Sequence, residues 1–186
     1  MVNLSRGDIY EEFIDEYFST VGPITFKPGE MSARIPMIPL AISYTDWALL
    51  DVNIGLLSTL KEEQESCLGI FRRYDQIRID NRGEFFTLTG DHDRLLGIST
   101  AVTKDGNHYS IDGFTHPHHK DSFIELLRTA LHWCEAAGGN DCKMEIAQDD
   151  QEKADLVAEL GFKPTGEKSV FRGKNISLNT GVYTIK

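Results

Sequence analysis

The sequence predicts a mixed α/β fold: a mostly antiparallel sheet with one parallel strand pair and helices on both faces. Three observations predict it. Residues 109–162 read as strand, loop, helix, strand, helix, and a strand–helix–strand of that length implies a right-handed parallel crossover. Residues 84–115 hold alternating runs separated by turn-formers, the pattern of antiparallel strands. Two later runs, 168–172 and 182–185, flank a loop containing Gly and Asn and read as a closing antiparallel pair.

Composition bounds the rest. At 186 residues, 40% hydrophobic and 26% charged, the chain is expected to fold as one domain with a core that needs no staples. A net charge of −10 argues against a broad nucleic-acid or anionic-membrane footprint and suits a cationic substrate. Three cysteines cannot all pair and no CxxC occurs, so a reducing cytoplasmic setting is expected. No secretory leader and no membrane span are expected.

From the start, residues 5–21 place Phe13, Ile14, Tyr17 and Phe18 at helical spacing opposite acids, which predicts an amphipathic helix ended by Gly22-Pro23. Four of the six prolines lie between there and Pro39, so an extended, turn-rich segment is predicted, with a first strand near 34–42. Residues 47–65 carry Leu49, Leu50, Ile54, Leu57 and Leu60 at helical spacing and predict a helix with a solvated charged end. A second helix over 67–74 and a short strand over 76–79 follow.

Strands are then predicted over 84–89, 95–102 and 108–115, with turns at Asp91-His92-Asp93 and at Lys104-Asp105-Gly106-Asn107. Asp-Gly between alternating runs is a strong hairpin signal. Ser122-x-x-Glu125 has the form of a capping box at the start of a helix over 123–137, and Gly138 sits where a left-handed cap belongs. Residues 143–147 alternate as a strand. Asp149 and Asp150 offer cap oxygens to a helix that runs to Gly161.

The spacing of Leu126-Leu127, Ala130, Trp133 and Gly138, followed by Leu156-x-x-x-Leu160-Gly161-Phe162, resembles the core of the GCN5-related N-acetyltransferases, the GNAT superfamily. The resemblance covers residues 83–186 and leaves 1–30 as a helical extension. It implies an acyl-CoA-dependent N-acyltransferase that moves acetyl from acetyl-CoA directly to a primary amine on a small molecule or peptide. A homodimer is a further expectation; nucleic acid and membrane are not expected partners. The family's pyrophosphate loop, Arg/Gln-x-x-Gly-x-Gly/Ala, aligns with His118-His119-Lys120-Asp121-Ser122-Phe123, which has no glycine. The family's asparagine falls on Asp150 and its acid tyrosine on Val157. The coenzyme site that the resemblance implies is therefore Phe114, Thr115, His116, the 118–123 loop, Asp150 and Val157.

Asp112, in the strand where the family parts two strands to admit the thioester, is the candidate general base. Tyr109 and Tyr183 are the alternatives for the missing acid, and Lys120 is the remaining phosphate partner. His116, His118 and His119 beside Asp121 have zinc-ligand character, yet one loop without supporting partners leads us to expect no metal. Two further functions stay open: a non-catalytic binding or regulatory module that has lost normal acetyl-CoA binding, and metal chemistry on an unrelated α/β fold.

Overall fold

The computed structural model describes residues 6–19, 22–43, 45–58, 67–173 and 176–186. In chain order its regular elements begin with α1 (Arg6–Ser19), β1 (Thr25–Pro28), α2 (Met37–Ile42), β2 (Leu49–Asp51), β3 (Leu56–Leu57) and α3 (Cys67–Ile79). There follow β4 (Gly83–Thr89), β5 (Leu95–Thr103), β6 (His108–Thr115), α4 (Phe123–Ala136), β7 (Asp141–Ala147), α5 (Gln151–Glu159), β8 (Lys163–Arg172) and β9 (Ser177–Ile185). Among these helices none is long and apolar enough to cross a membrane.

Seven strands form one sheet in the order β1-β4-β5-β6-β7-β9-β8, and β2 with β3 forms a separate two-stranded ribbon. Every pairing in the large sheet is antiparallel except β6 with β7. That parallel pair is joined through α4, as the crossover reading predicts. The β5–β6 turn forms because the Asp105 carboxylate accepts from the Asn107 and His108 N–H groups, with Gly106 at a positive φ of 78°.

Strand alternation sorts the core into two layers. Phe86, Ser99 and Gly113 are register partners on the face that meets α4, where Phe86 packs edge-on against Trp133 and Ser99 donates to the Leu126 carbonyl. Their neighbours Phe85, Thr100 and Asp112 face the other way, toward α3 and the β2–β3 ribbon. Gly113 is a tight point of β6 against the neighbouring strand β5. A β-carbon there would lie 2.3 Å from the Ile98 carbonyl oxygen and 2.7 Å from Ser99 Cα. Because backbone rather than a mobile side chain is in the way, Gly113→Ala should cost about 1–3 kcal/mol. Gly69→Ala, in α3 with nothing within 4 Å, should be neutral or stabilising by about 0.5–1 kcal/mol. Urea denaturation of the two variants checks both.

Several expectations are corrected. The first strand lies at β1 rather than over 34–42, where the chain instead forms a 3₁₀ turn (Met31–Arg34) and α2. Pro39 is tolerated because it stands in the first turn of α2, whose N–H groups have no intrahelical partner. The helix expected over 47–65 is the β2–β3 ribbon as far as Leu57, and 59–66 lie outside the described residues. Its apolar residues mislead because 47–50 are all buried, which gives no single face. Asp51 caps the intervening 3₁₀ turn by accepting from Asn53 N–H, and Gly55 ends it at φ 68°. Residues 76–79 continue α3 and form no strand. In α1, Ile14 and Phe18 are buried, whereas Phe13 is 56% exposed and off the packed stripe.

The expected capping box is absent. Ser122 enters α4 from a 3₁₀ turn with helical backbone angles (φ −88°, ψ −6°), so its hydroxyl does not turn back onto the helix, and Glu125 pairs with Arg128. Asp150 likewise gives no side-chain cap to α5. Gly138 and Gly161 do take the positive φ values, 85° and 94°, that end α4 and α5.

Candidate functional site

The site is defined by where β6 and β7 part. They are paired from His108–Asp141 to Ser110–Lys143 and no further. Beyond that point Asp112, Phe114 and Thr115 of β6 have no partner on β7, and the gap between the strands opens toward the loop that starts α4. This is the opening that the family resemblance assigns to a thioester. It is filled by the chain itself.

Residues 47–57 lie across it. Val52 N–H donates to Asp112 Oδ2 at 2.7 Å, and Ala48 N–H donates to the Asp150 carboxylate at 3.2 Å. Leu49 and Leu57 pack on Ala147 at the end of β7, with Phe171 and Leu178 from the β8–β9 pair alongside. Lys153, in the first turn of α5, completes the plug. Its Nζ donates to Asp112 Oδ1 at 2.6 Å and to the Leu49 and Leu50 carbonyls at 3.2 and 3.4 Å. It also stands 5.3 Å from the centre of the Trp47 ring and 5.7 Å from that of Phe123. Lys153 is 1% exposed and Asp112 is 0% exposed.

Asp51 shares the same enclosure. Thr100 Oγ1 donates to both of its oxygens at 3.0 Å, and Asn53 bridges Thr100 and the Ser110 carbonyl. Burial first, and the Asp112 carboxylate second, raise the Asp51 pKa to about 8. Burial also raises Asp112, against the opposing pull of Lys153. One lysine thus faces two carboxyls, and the charge is best balanced with Asp112 ionised and Asp51 protonated. The Tyr74 hydroxyl, fully buried nearby, is held well above its ordinary pKa by burial and by the two acids, and stays a phenol.

The loop expected to meet a diphosphate is also occupied by its own chain. His116 stacks on Phe18 of α1 with ring centroids 3.8 Å apart. His118 Nε2 meets Asp15 Oδ1 at 2.6 Å, and His119 Nε2 meets the Phe18 carbonyl at 2.9 Å. These rings hold α1 to the loop rather than converging on one point. Among the described residues no group of three His, Cys, Asp or Glu side chains is arranged to hold a metal ion. Lys120 pairs with Glu152 at 2.8 Å and Asp46 at 3.6 Å. Glu152 also accepts from Trp47 Nε1, tying the loop to the plug. Asp121 is exposed beside it.

Of the remaining expected residues, Phe123 and Val157 are fully buried in the core, and Phe114, Thr115 and His116 are at most 5% exposed. Asp150 is spent on the Ala48 N–H. Tyr109 and Asp112 are not brought together: Tyr109 packs edge-on against Trp133 on the α4 side, while Asp112 faces the ribbon. Burial raises the Tyr109 pKa. Tyr183 sits on β9 opposite Met144.

Lys153, Asp51 and Trp47 were not singled out from the sequence. A signal for Lys153 was present. It stands one turn before Val157 and next to Ala154, on the buried stripe of its helix, where a lysine needs a buried partner. Asp51, closing the run Trp47-Ala48-Leu49-Leu50, is the same kind of signal.

No family model matches the sequence, and no curated protein is similar to it at a significant level. Solved structures do match. The putative acetyltransferase YncA of Salmonella typhimurium, solved with acetyl-CoA, superposes with a TM-score of 0.64 at 11% identity, over 88% of this chain and 93% of that one. An acetyltransferase of the GNAT family from Streptococcus pneumoniae gives 0.66 at 10% identity, over 88% and 98%. Spermidine N-acetyltransferase of Vibrio cholerae, solved with CoA and spermine, gives 0.62 at 16% identity, over 87% and 94%.

Proposed function

We propose that this chain, which has the fold of the GCN5-related N-acetyltransferases, is an acyl-CoA-dependent N-acyltransferase that acetylates a primary amine by direct transfer. The observation that carries this reading is the parting of the parallel pair β6–β7 after Ser110 and Lys143, with Gly113 at the opening. Acetyl-CoA supplies the activated acetyl group. Solved neighbours of the same fold bind acetyl-CoA, or CoA with spermine, and a net charge of −10 suits a cationic amine acceptor. Asp112 is held by Lys153 and by the Val52 N–H, so the reading relies on proximity more than on a strong base.

A second reading is favoured by the filled groove: a non-catalytic GNAT-fold module that binds or regulates without acetyl-CoA. Calorimetry with acetyl-CoA and CoA, followed by an acetyl-transfer assay on spermidine, separates the two. A glycine loop gives a diphosphate several N–H donors, each charge-assisted bond contributing about 1.5–3 kcal/mol. Losing two of them weakens binding by about two to four orders of magnitude. The expected result is weak, saturable acetyl-CoA binding with measurable transfer. No heat at millimolar coenzyme would remove the acyltransferase reading and leave the non-catalytic module.

A further inference from the structure

We propose that the enclosure around Lys153 Nζ is a receptor for a primary ammonium, which the chain fills with its own side chain, and that shortening Lys153 turns it into a site for a free alkylammonium. The inference goes beyond the acyltransferase reading and does not depend on it. It also says where the acceptor amine of that reaction is not held, because Asp112 already has its ammonium.

The acceptor count is the first argument. A lysine ammonium carries three N–H donors and no acceptor. Here three oxygens receive them: Asp112 Oδ1 at 2.6 Å, the Leu49 carbonyl at 3.2 Å and the Leu50 carbonyl at 3.4 Å. A secondary ammonium would leave one of these oxygens unmet, a tertiary one two, and a quaternary one all three. Hydrogen-bond number alone therefore selects a primary ammonium.

Charge is the second. Trp47 and Phe123 supply walls: Nζ stands 5.3 Å from one ring centre and 5.7 Å from the other, the range in which a ring face attracts a cation. Asp112 is fully buried, so a neutral occupant leaves a carboxylate without its counter-charge. An alcohol of the same size brings one donor and no charge. Carboxylate, carbonyls and rings thus agree on one ligand class, small, cationic and rich in N–H.

The third is that the walls do not depend on Lys153 for their position. Ala154 and Val157 of α5 are buried beside it, and the Ala154 N–H donates to the Asp150 carbonyl. Lys153→Ala removes three methylenes and the ammonium, and the packed surroundings fill such a hole only partly. Ethylammonium, with two carbons and the nitrogen, matches that space while leaving clearance from the remaining β-carbon. An engineered buried cavity takes up a small ligand that suits its lining.

Thermal melting of Lys153→Ala tests the receptor, with ethylammonium chloride, ethanol or tetramethylammonium chloride added at equal ionic strength. The wild type and the double variant Asp112→Asn, Lys153→Ala are melted alongside. A ligand of three heavy atoms reaches at best about a millimolar Kd, so about 50 millimolar gives roughly a hundredfold excess. Nitrogen NMR of the lysine ammonium groups in the wild type gives a readout independent of any variant's folding. An ammonium held by three acceptors in a buried site exchanges its protons slowly.

The expected result is a rise of about 5–10 °C in the melting temperature of Lys153→Ala with ethylammonium. Ethanol and tetramethylammonium should not reproduce it, and the wild type and the double variant should not move. The wild-type Lys153 should give a slowly exchanging ammonium signal. No rise, a rise that either control compound reproduces, or one that persists in the double variant overturns the proposal. So does a Lys153→Ala chain that stays unfolded at every ethylammonium concentration, or a wild-type Lys153 ammonium in fast exchange. No coenzyme enters the experiment, so its failure is distinct from failure of the acetyl-transfer assay.

Discussion

Lys153→Ala is expected to remove about 3–5 kcal/mol of folding stability, a large share of what a domain of this size possesses. Lys153 is 1% exposed, so truncation leaves the fully buried Asp112 facing Asp51 without a cation, and strands the Leu49 and Leu50 carbonyls. An uncompensated buried carboxylate is costly, and the chain's recourse is to protonate it. The loss should therefore be larger at pH 8 than at pH 5. The pair's own worth is a separate quantity, because the Coulombic gain of a buried ion pair is offset by desolvation of both partners. Asp112→Asn combined with Lys153→Met removes both charges and keeps one of the two oxygens that accept from the Val52 and Gly113 N–H groups. It should recover part of the loss. Chemical denaturation of the two single variants and the double variant provides the test. A double variant as unstable as Lys153→Ala would show that the carbonyl contacts, and not the unpaired charge, dominate.

A second large effect concerns pH. The folded chain holds a proton on Asp51 up to about pH 8, whereas an unfolded aspartate releases it near its ordinary 3.8. Between those values the folded state binds more protons, so the stabilisation present below about pH 4 is lost progressively as pH rises through 8. His116 acts at the other end. Burial first lowers its pKa to about 3, so the unfolded chain takes up a proton below about 6.5 and stability is lost as pH falls through that range. Between pH 6.5 and 8 the Asp51 proton alone should cost about 1–2 kcal/mol, or about 3–6 °C in Tm. Asp51→Asn keeps an acceptor for Thr100 and for Asn53 N–H but cannot ionise. Its melting temperature should stay nearly flat over that interval. A wild type that is equally flat between pH 6.5 and 8 would mean that Asp51 is ionised in the folded state.

The sheet was legible because its signals are local. Alternation in 84–89, 95–102 and 108–115, with Asp105-Gly106 between the last two, defines antiparallel neighbours without reference to the rest of the chain. The amphipathic run behind Phe123 and the strand over 143–147 define the parallel partner, since a crossover of that length has one favoured hand. Those elements, and the left-handed glycines that end α4 and α5, follow from periods of 2 and 3.6 and from backbone sterics.

Residues 31–57 were not legible in the same way. Met37, Leu40, Leu49, Leu50, Ile54 and Leu57 are buried from more than one side, so their spacing does not distinguish ribbon from helix. The site was harder still. Asp112 was identified as a group that matters, but its neighbours come from residues 51, 52, 100 and 153, far apart along the chain. The pyrophosphate-loop position was readable as lacking glycine. That His118 and His119 would spend themselves on Asp15 and Phe18 of α1 was not. What the sequence determined by itself is the β4–β5–β6 run of antiparallel neighbours and the parallel pairing of β6 with β7 through α4, because those are set by interactions along short stretches of chain. Only the tertiary structure decided that the gap between β6 and β7 is closed, because a buried charge finds its partner through space, and burial, not spacing, sets which lysine neutralises which acid.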